Sequence, residues 1–92
     1  MALREDQRFT LSADVVSRVI DGEAVLLDLA SSEYLGLNAV ATRVWELLGE
    51  GKALGVIRAA LLDEFEVPAE VLDRDLDQLF ADLQGRALIR PA

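Results

Sequence analysis

The sequence predicts an α+β domain in which a three-stranded antiparallel sheet is followed by three helices. The apolar repeat changes its period between Val25 and Leu48. As far as Leu37, apolar side chains stand at every second residue, which is typical of a strand with one buried face. From Asn38 the spacing is helical, so a strand ends at Leu37 and a helix begins at Asn38, whose side chain can cap the first free N–H groups. With a final short strand, this is the layout of a winged helix-turn-helix whose sheet comes first.

Two turn signals separate the three strands. Val15–Ile20 alternates β-branched residues and is followed directly by Asp21-Gly22. Asp-Gly between two such runs indicates a two-residue hairpin, because both positions of a type I′ turn need positive φ. The returning strand is predicted over residues 23–30 and, after Ser31-Ser32, the third strand over residues 33–37. Together the strands form a meander.

Three amphipathic helices account for most of the remaining chain. They are predicted over residues 38–48, over 54–65, and from Val67-Pro68 to Gly85, with Pro68 at the first helical position. A strand over 87–89 is predicted to return to the sheet as a wing. Residues 1–13 are polar and predict a flexible arm, which leaves residues 14–92 as one domain. The third helix presents an apolar stripe at spacings of four, three and four: Leu72, Leu76, Leu79 and Leu83.

Composition limits the chemistry open to this domain. Its 92 residues, 52% of them hydrophobic, can close one small core. The chain has no His and no Cys, which removes the commonest general base, the commonest nucleophile–base pairs and nearly every zinc site. The carboxylates of the third helix mostly lie off its apolar stripe, as expected of a solvated face. We therefore expect no enzymatic activity, no metal and no cofactor.

Charge and the amino end of the chain indicate which partners to expect. Eight acidic residues and one Arg lie between Asp63 and Asp82, and they make up most of the net charge of −8. Affinity for DNA comes mostly from Lys and Arg that release counterions, so nucleic acid is not an expected partner, although winged helices are common among DNA-binding proteins. Charges stand where a signal peptide would be apolar, and no apolar run approaches ~18 residues. These features, with the lack of Cys, predict a cytoplasmic protein that does not contact membranes.

Several motifs in order resemble the PqqD-like family, the RiPP recognition elements. Residues 16–48, VSRVIDGEAVLLDLASSEYLGLNAVATRVWELL, are similar to that family's hairpin, its short strand ending in Leu-Asn, and its helix with an aliphatic-Trp-x-Leu-Leu segment. The third helix is similar to the family's Asp-aliphatic pattern in a set of five residues: Asp75, Leu76, Leu79, Phe80 and Leu83. The chain departs from the family after Gly85, where residues 86–88 stand in place of a frequent Gly-Leu. The resemblance covers about residues 15–89.

The resemblance implies that the domain binds the leader segment of a ribosomally made precursor peptide and presents the peptide's core to a modifying enzyme. In that family the leader adds as an antiparallel strand to the third strand and lies in a groove between this strand and the third helix. The implied pairing edge consists of Glu33, Tyr34, Leu35 and Gly36. The implied helix wall consists of Leu72, Asp75, Leu76, Leu79 and Phe80.

These wall residues also have structural interpretations. The apolar stripe must be buried in any case, so Leu72, Leu76 and Leu79 are more readily explained as core than as groove. Phe80 stands beside the stripe where core gives way to surface, and we expect it to contact the leader. Asp75 is interpreted equally well as a leader contact or as a residue that orients the neighbouring turn. Trp45, in the middle of the first helix, is expected in the core.

Three functions remain open from the sequence. Within the family, the size and the missing catalytic residues favour the stand-alone leader-binding protein of lasso-peptide biosynthesis, which works beside a leader peptidase and a cyclase. A peptide chaperone for a radical-SAM enzyme, as in quinone-cofactor synthesis, is the second function. The third, from another class, is an acidic winged-helix regulator that acts through protein contacts, or a DNA mimic.

Overall fold

The computed structural model describes residues 4–92, which contain five strands and three helices. The strands are β1 (Phe9–Leu11), β2 (Val15–Ile20), β3 (Glu23–Asp28), β4 (Glu33–Gly36) and β5 (Ile89–Pro91). The helices are α1 (Ala39–Gly49), α2 (Leu54–Glu64) and α3 (Ala69–Gly85). Strands β2, β3 and β4 form an antiparallel sheet in that order, so the predicted α+β architecture is confirmed and the predicted third strand is β4.

The turns of the sheet follow the local sequence. Ile20 pairs with Glu23, and the two residues between them have φ of 52° (Asp21) and 80° (Gly22), so the predicted hairpin turn is confirmed. Strand β3 ends at Asp28, two residues earlier than predicted. Its carboxylate accepts hydrogen bonds from the Ala30 N–H at 3.1 Å and the Ser31 hydroxyl at 2.9 Å, which favours a turn over a continued strand.

Hydrogen bonds anchor the corner between β4 and α1. The Asn38 side-chain oxygen accepts from the Ala41 N–H at 2.8 Å, as predicted for an N-cap. One turn later the buried Thr42 hydroxyl accepts from the Ala24 N–H of β3 at 2.8 Å and lies 3.4 Å from the Leu37 carbonyl, to which it donates. Helix α1 is thereby attached to the sheet where β4 ends.

The final strand does not act as a wing of the main sheet, and this prediction is wrong. Strand β5 pairs with β1 in a separate two-stranded sheet, with Leu11 opposite Ile89. It also begins later than predicted, because Ala87 has a φ of 57°, in the left-handed region that a strand cannot use.

Part of the predicted flexible arm belongs to the packed structure. Phe9 in β1 is only 4% exposed and its ring centroid lies 5.1 Å from that of Phe80, so the interpretation of residues 9–11 as an arm is wrong. The apolar area that Phe9 buries offsets the entropy lost on ordering a short strand. Residues 1–3 of the predicted arm lie outside the described residues.

One core lies between the main sheet and the three helices. Trp45 is 7% exposed and belongs to it, as predicted. Two ion pairs join the helices at its rim: Arg43 Nε lies 2.8 Å from Glu64 Oε1, between α1 and α2, and Arg58 Nε lies 2.6 Å from Asp73 Oδ1, between α2 and α3. In each pair the guanidinium donates two hydrogen bonds, from Nε and Nη2, to the two oxygens of the carboxylate.

The Arg58–Asp73 pair predicts a dependence of stability on pH. Hydrogen bonding from Arg58 lowers the pKa of Asp73 below its ordinary value. The pair therefore stabilises the fold above the unfolded-state pKa of about 3.9, and this contribution is lost as pH falls through the lower folded-state pKa. Thermal unfolding of Asp73→Asn should show a lower Tm than the unchanged chain at neutral pH, with a difference that shrinks on acidification. A constant difference would contradict the assignment.

Candidate functional site

The outer edge of β4 is available for pairing. Within residues 4–92, β4 pairs only with β3, so one side of its backbone faces away from the sheet. The Leu37 N–H donates to the Ala24 carbonyl at 2.8 Å, which identifies this as a hydrogen-bonded position of the ladder. Such positions alternate along an antiparallel strand, so Leu35 directs its backbone groups toward β3, whereas Tyr34 and Gly36 direct theirs outward. The free edge thus offers the N–H and C=O groups of Tyr34 and Gly36.

An open cleft of about 810 Å³ lies between α3 and the start of α1; we call it the apolar cleft. Leu72 and Leu76, each 1% exposed, belong to the core beneath it, and Leu79 is half-buried. Val40 of α1 and Val67, just before α3, add apolar surface. Asp75 and Asp82 also line the apolar cleft, and both residues are exposed.

A second, smaller cleft of about 280 Å³ lies beside β4 at the end of α3; we call it the charged cleft. Glu33, Leu35 and Arg86 are among its lining residues. Arg86 Nε donates to Asp82 Oδ1 at 2.9 Å, and its Nη1 lies 3.9 Å from Glu33 Oε2. Since Asp82 lines the apolar cleft, the Arg86–Asp82 hydrogen bond joins the linings of the two clefts, which we together call the groove.

The structure brings most of the predicted site residues together. Glu33, Tyr34 and Leu35 line the charged cleft, and Leu72, Asp75, Leu76 and Leu79 line the apolar cleft. Tyr34 and Gly36 share a sheet face with Leu27 and Val25 respectively, opposite the face of the buried Leu26. Tyr34 is 70% exposed, and its side chain lies on the sheet face away from the core.

Phe80 is the exception, and its predicted position at the edge of the core is wrong. It is 1% exposed, packs against Phe9 and lines neither cleft. The apolar stripe of α3 has two flanks, and Phe80 lies on the flank facing β1, whereas Leu79 lies on the flank facing the groove. Hydrophobic periodicity identifies both flanks but does not say which one faces a given strand.

Several groove residues were missing from the sequence prediction. Asp82 and Arg86 continue the groove flank of α3 at helical spacing from Asp75 and Leu79, so the period could have indicated them once the flank was known. Asn38 was predicted only as a cap, and it also lines the apolar cleft. Val40 and Val67 come from other elements and had no local signal.

The edge of β2 differs from that of β4 in its surroundings. Strand β2 pairs only with β3 among the described residues, and Val16 and Ile20 on it are 52% and 55% exposed. Neither cleft is lined by a β2 residue. A strand added at β2 would therefore find backbone partners but no helix wall to distinguish its side chains.

A short free strand that lines a groove defines a class of small α+β domain whose sheet edge can accept an extended peptide. The sequence profile of the family described as "Coenzyme PQQ synthesis protein D (PqqD)" matches residues 23–89, and the chain belongs to this family. Comparison with curated proteins finds no match.

Two solved structures are similar over nearly the whole chain. "TbiB1 in Complex with the TbiA(beta) Leader Peptide" is 40% identical, with a TM-score of 0.79, and the match covers 87% of this chain and 93% of that one. "Lasso peptide synthetase B1 complexed with the leader peptide" is 28% identical, also with a TM-score of 0.79, over 91% of this chain and 99% of that one.

Among residues 4–92, no three His, Cys, Asp or Glu residues are grouped so that they could hold a metal ion. In the same part of the chain, none of the helices has both the length and the apolar character to cross a membrane.

Proposed function

We propose that this domain binds the leader segment of a ribosomally synthesised precursor peptide and delivers it to a leader peptidase or other modifying enzyme. The leader adds as an antiparallel strand to β4 through Tyr34 and Gly36, and its side chains on one face enter the groove. The domain acts by binding, in the cytoplasm, and the chemistry belongs to the partner enzyme. The observation that carries this proposal is the outward backbone of β4 beside the groove, since β4 lines the charged cleft and Asn38, two residues after it, lines the apolar cleft.

The free energy of binding indicates why the leader needs both the edge of β4 and the apolar cleft. Tyr34 and Gly36 offer four backbone groups, and at about 0.5–1.5 kcal/mol each their hydrogen bonds contribute about 2–6 kcal/mol. Micromolar binding requires about 8 kcal/mol. Burial of leader side chains against Leu79, Val40 and Val67 supplies the rest, and it also discriminates between peptides.

The comparisons favour a pathway that makes lasso peptides. Both similar structures are complexes with a leader peptide, and one is described as a lasso peptide synthetase. The family description names quinone-cofactor synthesis instead, so a peptide chaperone for a radical-SAM enzyme is the second candidate. Titration of this domain with a purified leader peptidase and with a radical-SAM enzyme from the same gene cluster distinguishes the two.

Calorimetry tests the binding itself. The leader encoded by the precursor gene of the same cluster should bind the isolated domain in a one-to-one ratio, with equal heat in the presence and absence of a chelator. This follows because every group assigned to the site is backbone or side chain of the domain. No heat, or heat that the chelator removes, would contradict the proposal.

Leu79→Ala should weaken leader binding by about 1–3 kcal/mol, the range for truncating an apolar contact in an interface pocket. Leu79 is only half-buried in the free domain, so the loss in thermal stability should be modest. Leu62→Ala is the matched control, because Leu62 is also half-buried against the core and lines neither cleft. Equal effects of the two changes on affinity would show that the cleft is not the binding site.

A further inference from the structure

We infer that Asp75 selects leaders carrying a Lys or Arg two residues from the apolar side chain that enters the apolar cleft. This inference rests on the proposed function and adds the chemistry of the leader segment.

Within the described part of the chain, Asp75 is the carboxylate of α3 that lines the apolar cleft without an ion-pair partner; Asp77 also lacks a partner there but lines neither cleft. Asp73 is bonded to Arg58 at 2.6 Å, and Asp82 to Arg86 at 2.9 Å. Asp75 is exposed and has no ion pair or side-chain hydrogen bond with any residue between 4 and 92, although it lines the apolar cleft. Its carboxylate is therefore available to a ligand in the cleft.

The remaining charges of the groove also favour a basic leader. The two clefts are lined by four carboxylates (Asp28, Glu33, Asp75 and Asp82) and by one cation, Arg86, so their formal net charge is −3. Arg86 is already engaged by Asp82 and Glu33. An acidic leader side chain in this groove would be repelled without a free cation to receive it, whereas a basic one would be attracted.

The spacing follows from the geometry of helix and strand. Strand β4 and helix α3 run in opposite directions. Glu33 at the start of β4 lies near Arg86, just after α3, whereas Asn38 beyond the end of β4 lines the same cleft as Leu76. Asp75 and Leu79 are four residues apart, about 6 Å along the helix. Alternate residues of a strand lie about 6.6–6.8 Å apart on one face. An apolar leader side chain against Leu79 thus places a side chain two residues away near Asp75, and a Lys or Arg can lay its stem on the apolar wall.

Selection from a random library tests this without knowledge of the natural leader. The probe is a display library of random twelve-residue peptides, selected on the full chain and depleted on Gly36→Pro, which blocks strand addition. Enriched peptides should carry Lys or Arg two residues from an apolar side chain, and selection on Asp75→Asn should lose that preference. Peptides that require Gly36 but show no basic preference overturn this inference alone. If no selected peptide requires Gly36, both this inference and the proposed function are wrong.

A double-mutant cycle on one enriched peptide isolates the contact. Asp75→Asn should weaken binding about two- to fivefold, and so should exchange of the peptide's basic residue for Gln. The two changes together should weaken it no more than either one alone. Asp63→Asn is the matched control, because it removes the same charge from an exposed position that lines neither cleft. Additive losses, or an equal loss with Asp63→Asn, would show long-range attraction without a specific pair and overturn the assignment to Asp75.

Discussion

Gly36→Pro should abolish leader binding, by about 100-fold or more, in a domain that still folds. The Gly36 N–H faces outward, so proline removes no hydrogen bond of the β3–β4 ladder. It does remove a donor that the leader needs, and its ring occupies the place of the incoming strand. Fluorescence titration of a labelled leader measures the loss, and circular dichroism with thermal unfolding checks the fold.

Two substitutions serve as controls for this result. Gly36→Ala keeps the N–H, and a methyl group at this position meets no atom within 4 Å, so binding should survive. Leu35→Pro removes an N–H that faces β3, so it should destabilise the sheet. If Gly36→Pro folds and binds the leader normally, strand addition at β4 is wrong.

Amide exchange locates the leader independently of mutation. Residues 33–37 should gain protection on leader binding, above all the outward N–H groups of Tyr34 and Gly36. The N–H of Leu37 already donates to Ala24 and should change less. Protection confined to residues 54–65 would place the peptide on α2 and contradict the proposed site.

Phe80→Ala should destabilise the domain by about 3–5 kcal/mol, the range for truncating a buried aromatic side chain. Phe80 is 1% exposed and its ring packs against Phe9, so the substitution opens a cavity between α3 and β1. Domains are stable by only about 5–15 kcal/mol, and for this size each kcal/mol lowers Tm by about 4–8 °C. The expected fall in Tm exceeds about 10 °C, measured by circular dichroism.

Phe9→Ala provides the matching test across the contact. Its effect on Tm should be large, and the double substitution should cost less than the sum of the two, because both remove the same packing. Trp45→Ala should destabilise comparably through a separate part of the core. If Phe80→Ala leaves Tm unchanged and weakens leader binding instead, Phe80 belongs to the groove after all.

Local physics explains what could be predicted from the sequence. The change of apolar period at Leu37 and Asn38, the Asp21-Gly22 turn and the amphipathic helices each depend on neighbouring residues, and all are present in the structure. The resemblance also directed attention to residues 33–36, which form β4, and to a helix wall of which four residues line the apolar cleft; their part in binding stays a prediction.

Only the tertiary structure decided which partners distant segments take. Phe9–Leu11 and Ile89–Pro91 lie at opposite ends of the chain, and no local pattern indicates that they pair with each other and not with the main sheet. The same holds for the flank of α3 that faces β4, which places Leu79 and Asp75 in the groove and Phe80 in the core. Periodicity records that a side chain is buried, but the element that buries it depends on how the whole chain packs, and so does the outward direction of the Gly36 N–H.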